Sequence, residues 1–484
     1  MRVPPKIRYS RWRNPTPRRS YKESLYRSGG EREKWGERMK RTTKIIARAL
    51  AASVLFLSAG PAATGSAGVG PETVVLRAAR MFDATSENMR SDAVVLVRDG
   101  KIVGVGGDAP IPEGARTIDL GDATLLPGFI DVHSHLTLEP DENYYRKTLN
   151  ELMRNPTEMA FYAGANARRT LEAGFTTVRH VGAREFIDVG LRNAIEANLT
   201  PGPRILAAGN AVTATGGSCD RAPYPAQRVA PLTPREGVCT GADQCRDAVR
   251  NQIKWGADVI KICASGGVLS HDPVDVPQFT RAELDAAIGE AHHWGRKVAA
   301  HSHGDTASRL AVEAGVDSIE HGSFLTEDTL KRMKAKGVFL VPTFMAIDWV
   351  KTNADGYPPH IARKAHVAAA AHGDMFKAAL RLGVPIALGT DATVRPDGHG
   401  RNAMEFALMV DAGMPPAAAL IAGTSNAARL LGLDAEIGTL GVGKAADIVA
   451  VPGNPLTDIR VTETPLFVMQ RGRVIRQAGP LPRS

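Results

Sequence analysis

Eight short apolar runs recur along the middle of this chain, at 129–132, 175–178, 204–207, 259–262, 298–300, 317–319, 338–341 and 385–388. Each has the length of a buried strand rather than of a helix. Between most of them lie stretches with helical texture, such as "PTEMAFYAGANARRTLEAG", "GADQCRDAVRNQIKWGA", "TRAELDAAIGEAHHWG" and "GDTASRLAVEAG". The third opens with Thr280 three residues before Glu283, a capping-box start. Strand–helix alternation of this kind predicts an α/β fold, a parallel (β/α)8 TIM-like barrel. An open doubly wound sheet would carry a glycine-rich dinucleotide loop after its first strand, and none is present.

The flanks have another texture. "TVVLRAARMFDATSENMRSDAVVLVRDGKIVGVGG" alternates β-branched residues with turns, and "RDGK" is a hairpin signal. The pattern returns in "GTLGVGKAADIVAVPGNP" and "PLFVMQRGRVIRQAG", where "QRGR" is a second hairpin candidate. A small β-sandwich assembled from both chain ends is expected, with parts at 71–128 and 433–484 and the barrel at 129–432.

Chemistry in a β/α barrel gathers at the C-terminal ends of its strands. Read in order, those ends carry His133 and His135 ("DVHSH"), His180, Lys261, His301 with His303 ("HSHG"), His321 and Asp391. Histidines two apart on a strand face the same way and can reach one ion. A lone buried histidine is usually a hydrogen-bonded core group. A whole series at successive strand ends would need a separate partner for every member to offset desolvation. A shared metal satisfies them together. The donors are nitrogen and oxygen, of the kind zinc, manganese or iron accept, with zinc the leading assignment. Lys261 is the odd member: it either pairs with Asp391 or has become a carbamate by reaction with carbon dioxide.

Composition changes the picture little. The formal charge of +9 on 484 residues is concentrated in the first forty-eight, so it is no nucleic-acid signature for the folded body. No P-loop and no aromatic-plus-basic RNA motif is found. From Met39 a basic start, an apolar stretch at about 45–57 and small residues read as an export signal, with cleavage between Ala62 and Gly70. Residues 1–38 then read as a basic arm or a mis-assigned start, and 39–70 as signal and linker. The expectation is a periplasmic or secreted protein without a stable membrane anchor. Of four cysteines, Cys219, Cys239 and Cys245 share one Gly/Pro-rich insertion, where a disulfide among the three is expected; Cys263 reads as a buried free thiol.

The ordered set His133, His135, Lys261, His301, His321 and Asp391 resembles the binuclear amidohydrolase superfamily. The phrases "LLPGFIDVHSHL", "GADVIKICASGGVLS", "KVAAHSHG", "GVDSIEHGSFL" and "IALGTDA" are similar to its branch of imidazolonepropionase-like enzymes, prolidases and Lys/Arg carboxypeptidases. The resemblance spans roughly residues 73 to 478. It implies two divalent ions, one held by His133, His135 and Asp391 and the other by His301 and His321, bridged by carbamylated Lys261. It also implies a water activated between them and Asp391 as general base.

The expected reaction is hydrolysis of a C–N amide bond in dipeptides or N-acyl amino acids, of Xaa-Pro or Xaa-Arg/Lys type. A cyclic-amide or secondary-metabolite amidase is the alternative, and a non-catalytic binding barrel a remote one. Partners are small molecules or dipeptides, not nucleic acid; oligomers are common among such barrels, but no symmetry is fixed by the sequence. His303, Ser218, Tyr224 and His399 are candidate substrate contacts, with Arg228, Arg235 and Arg401 nearby. Many relatives carry His where Ser218 stands, so prolidase specificity does not transfer directly.

Overall fold

The computed structural model describes residues 73–139, 141–220 and 230–478. The expectations for the basic arm, the export signal, Tyr224 and Arg228 fall outside the described residues.

Seven parallel strands run Phe129–Ser134, Phe175–His180, Arg204–Ala207, Val259–Cys263, Lys297–Ser302, Ser318–His321 and Phe339–Val341. They pair in chain order, with Val212 bridging to Ile262 between the third and the fourth. The eighth run is pinned by a parallel bridge from Ile386 to Leu340. The barrel closes where the Val132 N–H donates to the Leu388 carbonyl at 2.9 Å. Helices follow the strands, as alternating periodicity predicts. The helix Arg281–His293 starts at Thr280 with the expected reciprocal capping box to Glu283.

The flanking strands join into one eight-stranded hydrogen-bonded sheet. Its two contributions meet where Ile448–Pro452 runs antiparallel to Ala123–Pro127. Leu76, Val95, Ile102, Leu125, Ile448 and Phe467 share its apolar cluster, so neither chain end has a complete core alone. Both hairpin signals are realised: Asp99 and Gly100 have φ of 53° and 74°, and Arg471 and Gly472 have 48° and 77°. These are the two left-handed positions of a tight hairpin turn. A Cβ on Gly100 would meet the Arg471 carbonyl at 2.9 Å, so the two turns pack backbone to backbone.

The expected disulfide within the insertion is present, Cys239 bonded to Cys245, but the free-thiol reading of Cys263 is corrected: Cys263 bonds Cys219, and no cysteine is free. Cys263 is an apolar strand residue, but the chain after the third strand crosses over its end. The Cys263 N–H donates to the Val212 carbonyl at 3.0 Å, and the Ser218 hydroxyl donates to the Ser265 carbonyl at 3.0 Å. That crossing brings Cys219 onto Cys263.

Candidate active site

A cavity of about 810 Å³ opens at the C-terminal ends of the strands. His133, His135, Lys261, His301, His303, His321 and Asp391 all line it. His133, His301 and His321 come from three separate strands, yet their ring centroids lie 4.9 Å (His133–His321) and 4.7 Å (His301–His321) apart.

The outward-facing nitrogens decide what this cluster can do. His133 donates from Nδ1 to the Glu320 carboxylate at 2.7 Å. His135 donates from Nδ1 to the Gly182 carbonyl at 2.9 Å. Thr343 gives its hydroxyl proton to the Pro342 carbonyl, so its Oγ1 accepts from His321 Nδ1 at 2.7 Å. His301 is hydrogen-bonded to the Gly266 backbone, and its Nε2 has no partner among the described residues. In the first three rings the Nδ1 proton is committed outward, leaving a bare Nε2 lone pair. A histidine that holds a metal is oriented in this way by the hydrogen bond of its other nitrogen.

Burial keeps these rings neutral. Desolvation holds His133 and His321 well below the usual histidine range, helped by Lys261 beside the first and by His301 beside the second. His301 is lowered to about 3 by burial and by the neighbouring Lys261 ammonium. His135 is also lowered by burial, against the opposing pull of Asp391. Lys261 itself is brought down to about 8 by burial, although Glu320 pulls the other way. Its Nζ has no hydrogen-bond partner among the described residues. A buried amine with a lowered pKa, neutral rings that turn Nδ1 outward and a His301 Nε2 without a partner fit cations at the rings and an anionic, metal-bound group at Lys261.

Donor atoms of His133, His321 and Asp391 lie within 4.8 Å of one another, and so do those of His301, His303 and His321. His135 Nε2 is 4.0 Å from Asp391 Oδ1. His321 thus stands between the two groups. His303, singled out from sequence as a substrate contact, stacks on His321 at 4.8 Å and bonds Ser323 Oγ through Nδ1. Asp391 sits at φ 48°, where its N–H donates to the His133 carbonyl at 2.8 Å. That strained turn aims its carboxylate back across the first strand.

Other sequence candidates separate. Ser218 lines the cavity, but its hydroxyl and N–H are spent on Ser265 and Gln278. His180 is fully buried and is not among the cavity-lining residues; its Nε2 accepts from the Thr137 N–H at 3.2 Å and its ring lies against His135. His399 does not line the cavity either. Its Nε2 bonds the Leu138 carbonyl at 3.2 Å, because the glycine-rich loop folds down onto the first strand's loop. Arg401 is paired with Asp397, and Arg235 is exposed beside Glu236.

Three residues beneath the site were missed from sequence. Arg179 and Glu320 form a pair buried to 1% and 0% exposure at 2.8 Å. Asp131 accepts from the His133 and Thr390 N–H groups, the Thr390 hydroxyl and Asn402. Burial raises Asp131 to about 6 against those four bonds. A charged residue inside each of three apolar strands ("IDVH", "TTVRH", "SIEH") was the available signal.

Comparison with known proteins agrees with this geometry. The amidohydrolase family model matches residues 124–477. The ochratoxinase of Aspergillus niger is 31% identical over 431 residues, covering 84% of this chain and 88% of the relative. The imidazolonepropionase of Cutibacterium acnes is 27% identical over 413 residues, covering 81% and 92%. Among solved structures, an Xaa-Pro dipeptidase with methionine bound in its active site superposes with a TM-score of 0.79 at 35% identity, covering 83% of this chain and 99% of that one. A barrel with this strand-end cluster, matched over most of its length, belongs to the amidohydrolase family, and the chain is a hydrolase acting on carbon–nitrogen bonds.

Proposed function

We propose that this chain hydrolyses the amide bond of N-acyl amino acids or dipeptides and releases the C-terminal amino acid. The observation that carries the reading is the convergence of His133, His135, His301, His321 and Asp391 on one cavity floor, with the Lys261 amine and His301 Nε2 lacking a hydrogen-bond partner among the described residues. His133, His135, His301, His321 and Asp391 would hold two divalent ions, zinc in our reading, with Lys261 as a bridging carbamate. Such a pair supplies Lewis acidity toward the scissile carbonyl and makes water acidic near neutral pH.

The chain's own groups do the rest. The Asp391 carboxylate takes a proton from the attacking water and passes it to the leaving amine. Glu320, Gly182 and Thr343 fix the rings, so little reorganisation accompanies the reaction. Val268, Leu269, Ala346, Ile347, Val350 and Val394 form an apolar wall that receives the acyl side and excludes water.

Support for this substrate class comes from the enzyme relatives and from a cavity larger than a small cyclic amide needs. A panel of Xaa-Pro, Xaa-Arg, Xaa-Lys and N-acyl amino acids, supplied with zinc and bicarbonate, tests it. Turnover of members of this panel is expected. Cleavage confined to cyclic amides would overturn the reading in favour of an imidazolonepropionase-like one. We further propose that the protein acts outside the cytoplasm, which two disulfides support. N-terminal sequencing of the native protein should find a start between Ala62 and Gly70. Among the described residues no helix is long and apolar enough to cross a membrane.

A further inference from the structure

The cavity wall carries a covalent crosslink that amide hydrolysis does not use. The Cys219–Cys263 disulfide lies in the cavity wall, both of its residues lining it. Cys263 is fully buried, two residues after Lys261, and its Cα pairs with that of His301 on the neighbouring strand. Cys219 is exposed, next to Ser218 on the loop after the third strand. The other disulfide, Cys239–Cys245, closes a six-residue separation away from the cavity.

Among the described residues, the loop at 215–220 has few ties to the strand ends that carry the site; Thr215 bonds instead to the Cys239 carbonyl and to the Thr240 hydroxyl. Ser218 reaches the Ser265 carbonyl and Gln278 Oε1, while Gly216 and Asp220 bond within the loop. Ser265 in turn accepts the His303 N–H on its Oγ at 2.9 Å. The wall is therefore stitched to the metal-side strands through one covalent bond and a short run of hydrogen bonds. Hydrogen bonds with an exposed side exchange readily with water, whereas the covalent bond does not.

We infer that the Cys219–Cys263 disulfide is a positioning crosslink for substrate binding: it holds the loop at 215–220 as a fixed wall of the catalytic cavity. The inference rests on the proposed amide-hydrolase reading for its kinetic readout. Reduction by a dithiol yields two thiols on the protein and one cyclic disulfide on the reductant, with two electrons and two protons transferred. The metal-binding side chains take no part in that exchange. A wall that must be ordered by each incoming substrate lowers affinity, while groups that act only at the reacting bond are unchanged. The signature is a raised KM with a nearly constant kcat.

The test compares the zinc-loaded, full-length protein before and after dithiothreitol with the Cys219→Ala/Cys263→Ala and Cys239→Ala/Cys245→Ala variants. Kinetics on the best N-acyl amino acid of the panel are joined by zinc content and by hydrogen exchange of a peptide spanning 210–220. For the first variant we expect KM to rise about tenfold, kcat to stay within about threefold and zinc to remain bound, and the reduced protein, reloaded with zinc after the dithiol is removed, should match it. Amide exchange at 215–220 should speed up at least about tenfold. The second variant should lose thermal stability and keep its KM.

An unchanged KM and unchanged loop exchange after removal of the Cys219–Cys263 bond would overturn the inference. So would a loss of zinc from the first variant, measured without reductant, which would make the bond part of the metal scaffold. If no panel member is cleaved, the amide-hydrolase reading fails, and hydrogen exchange alone still decides whether the bond holds the wall.

Discussion

Replacing Glu320 by Gln keeps the shape of the side chain and removes its charge. In the native protein this carboxylate takes a hydrogen bond from His133 Nδ1 at 2.7 Å and another from Arg179 Nη2 at 2.8 Å. Arg179 is 1% exposed, and among the described residues its other hydrogen bonds go to the Val132 carbonyl and the Ser318 hydroxyl alone. The variant therefore leaves a guanidinium charge buried without a counter-charge. Breaking a buried pair from one side costs about 3–5 kcal/mol of folding stability. A second effect falls on His133, which loses the carboxylate that orients it. Losing such a partner weakens metal binding by about 10–100-fold.

The two effects separate in the double variant Arg179→Met/Glu320→Gln. Without the stranded cation, most of the stability should return, while zinc affinity stays low. Urea unfolding of chelator-stripped protein reads the first quantity, and competition with a chromophoric zinc chelator reads the second. Stability of Glu320→Gln within about 1 kcal/mol of native would refute the stranded-charge argument. Native zinc affinity in either variant would refute the orienting role of Glu320.

Asp391→Asn should retain zinc through the histidines yet lose about 10²–10⁴-fold in kcat, because an amide cannot carry the proton; metal analysis beside steady-state kinetics checks both halves. Carbamylation needs the neutral Lys261 amine, so in metal-free protein its rate should follow the fraction deprotonated. With the amine at about 8, the initial rate at constant dissolved carbon dioxide should rise about tenfold from pH 7 to pH 9 and then level. An ordinary lysine at 10.5 would give about 100-fold with no plateau, and equal reconstitution without carbon dioxide would rule out the carbamate. Gly389→Ala would set a Cβ against the Val341 side chain and 2.6 Å from His133 Cβ. It should cost about 2–3 kcal/mol in unfolding experiments and weaken zinc binding.

The strand-end residues were legible because a barrel strand is short, buried and closed by its functional residue. "DVHSH", "HSHG" and "LGTDA" break apolar runs where water-accessible chemistry begins, and a period of two sends His133 and His135 to one side. The hairpins at Asp99–Gly100 and Arg471–Gly472 were legible for an equally local reason, since only certain residues adopt two successive positive φ values. Partners distant along the chain were not. Glu320 reaches His133 across 187 positions, and Arg179 reaches Glu320 across 141, so no window of sequence contains the pair.

Local reading by itself determined the barrel, the two β-rich flanks and the identity of the residues at the cavity floor. Only the tertiary structure decided that Cys263 is bonded to Cys219, that His399 turns onto the Leu138 carbonyl, and which nitrogen of each ring is left bare. The physical reason is the same in each case. Periodicity and turn chemistry act over a few residues and are written in the order of the chain. Hydrogen-bond direction and disulfide pairing depend on which strand ends the closed barrel brings side by side.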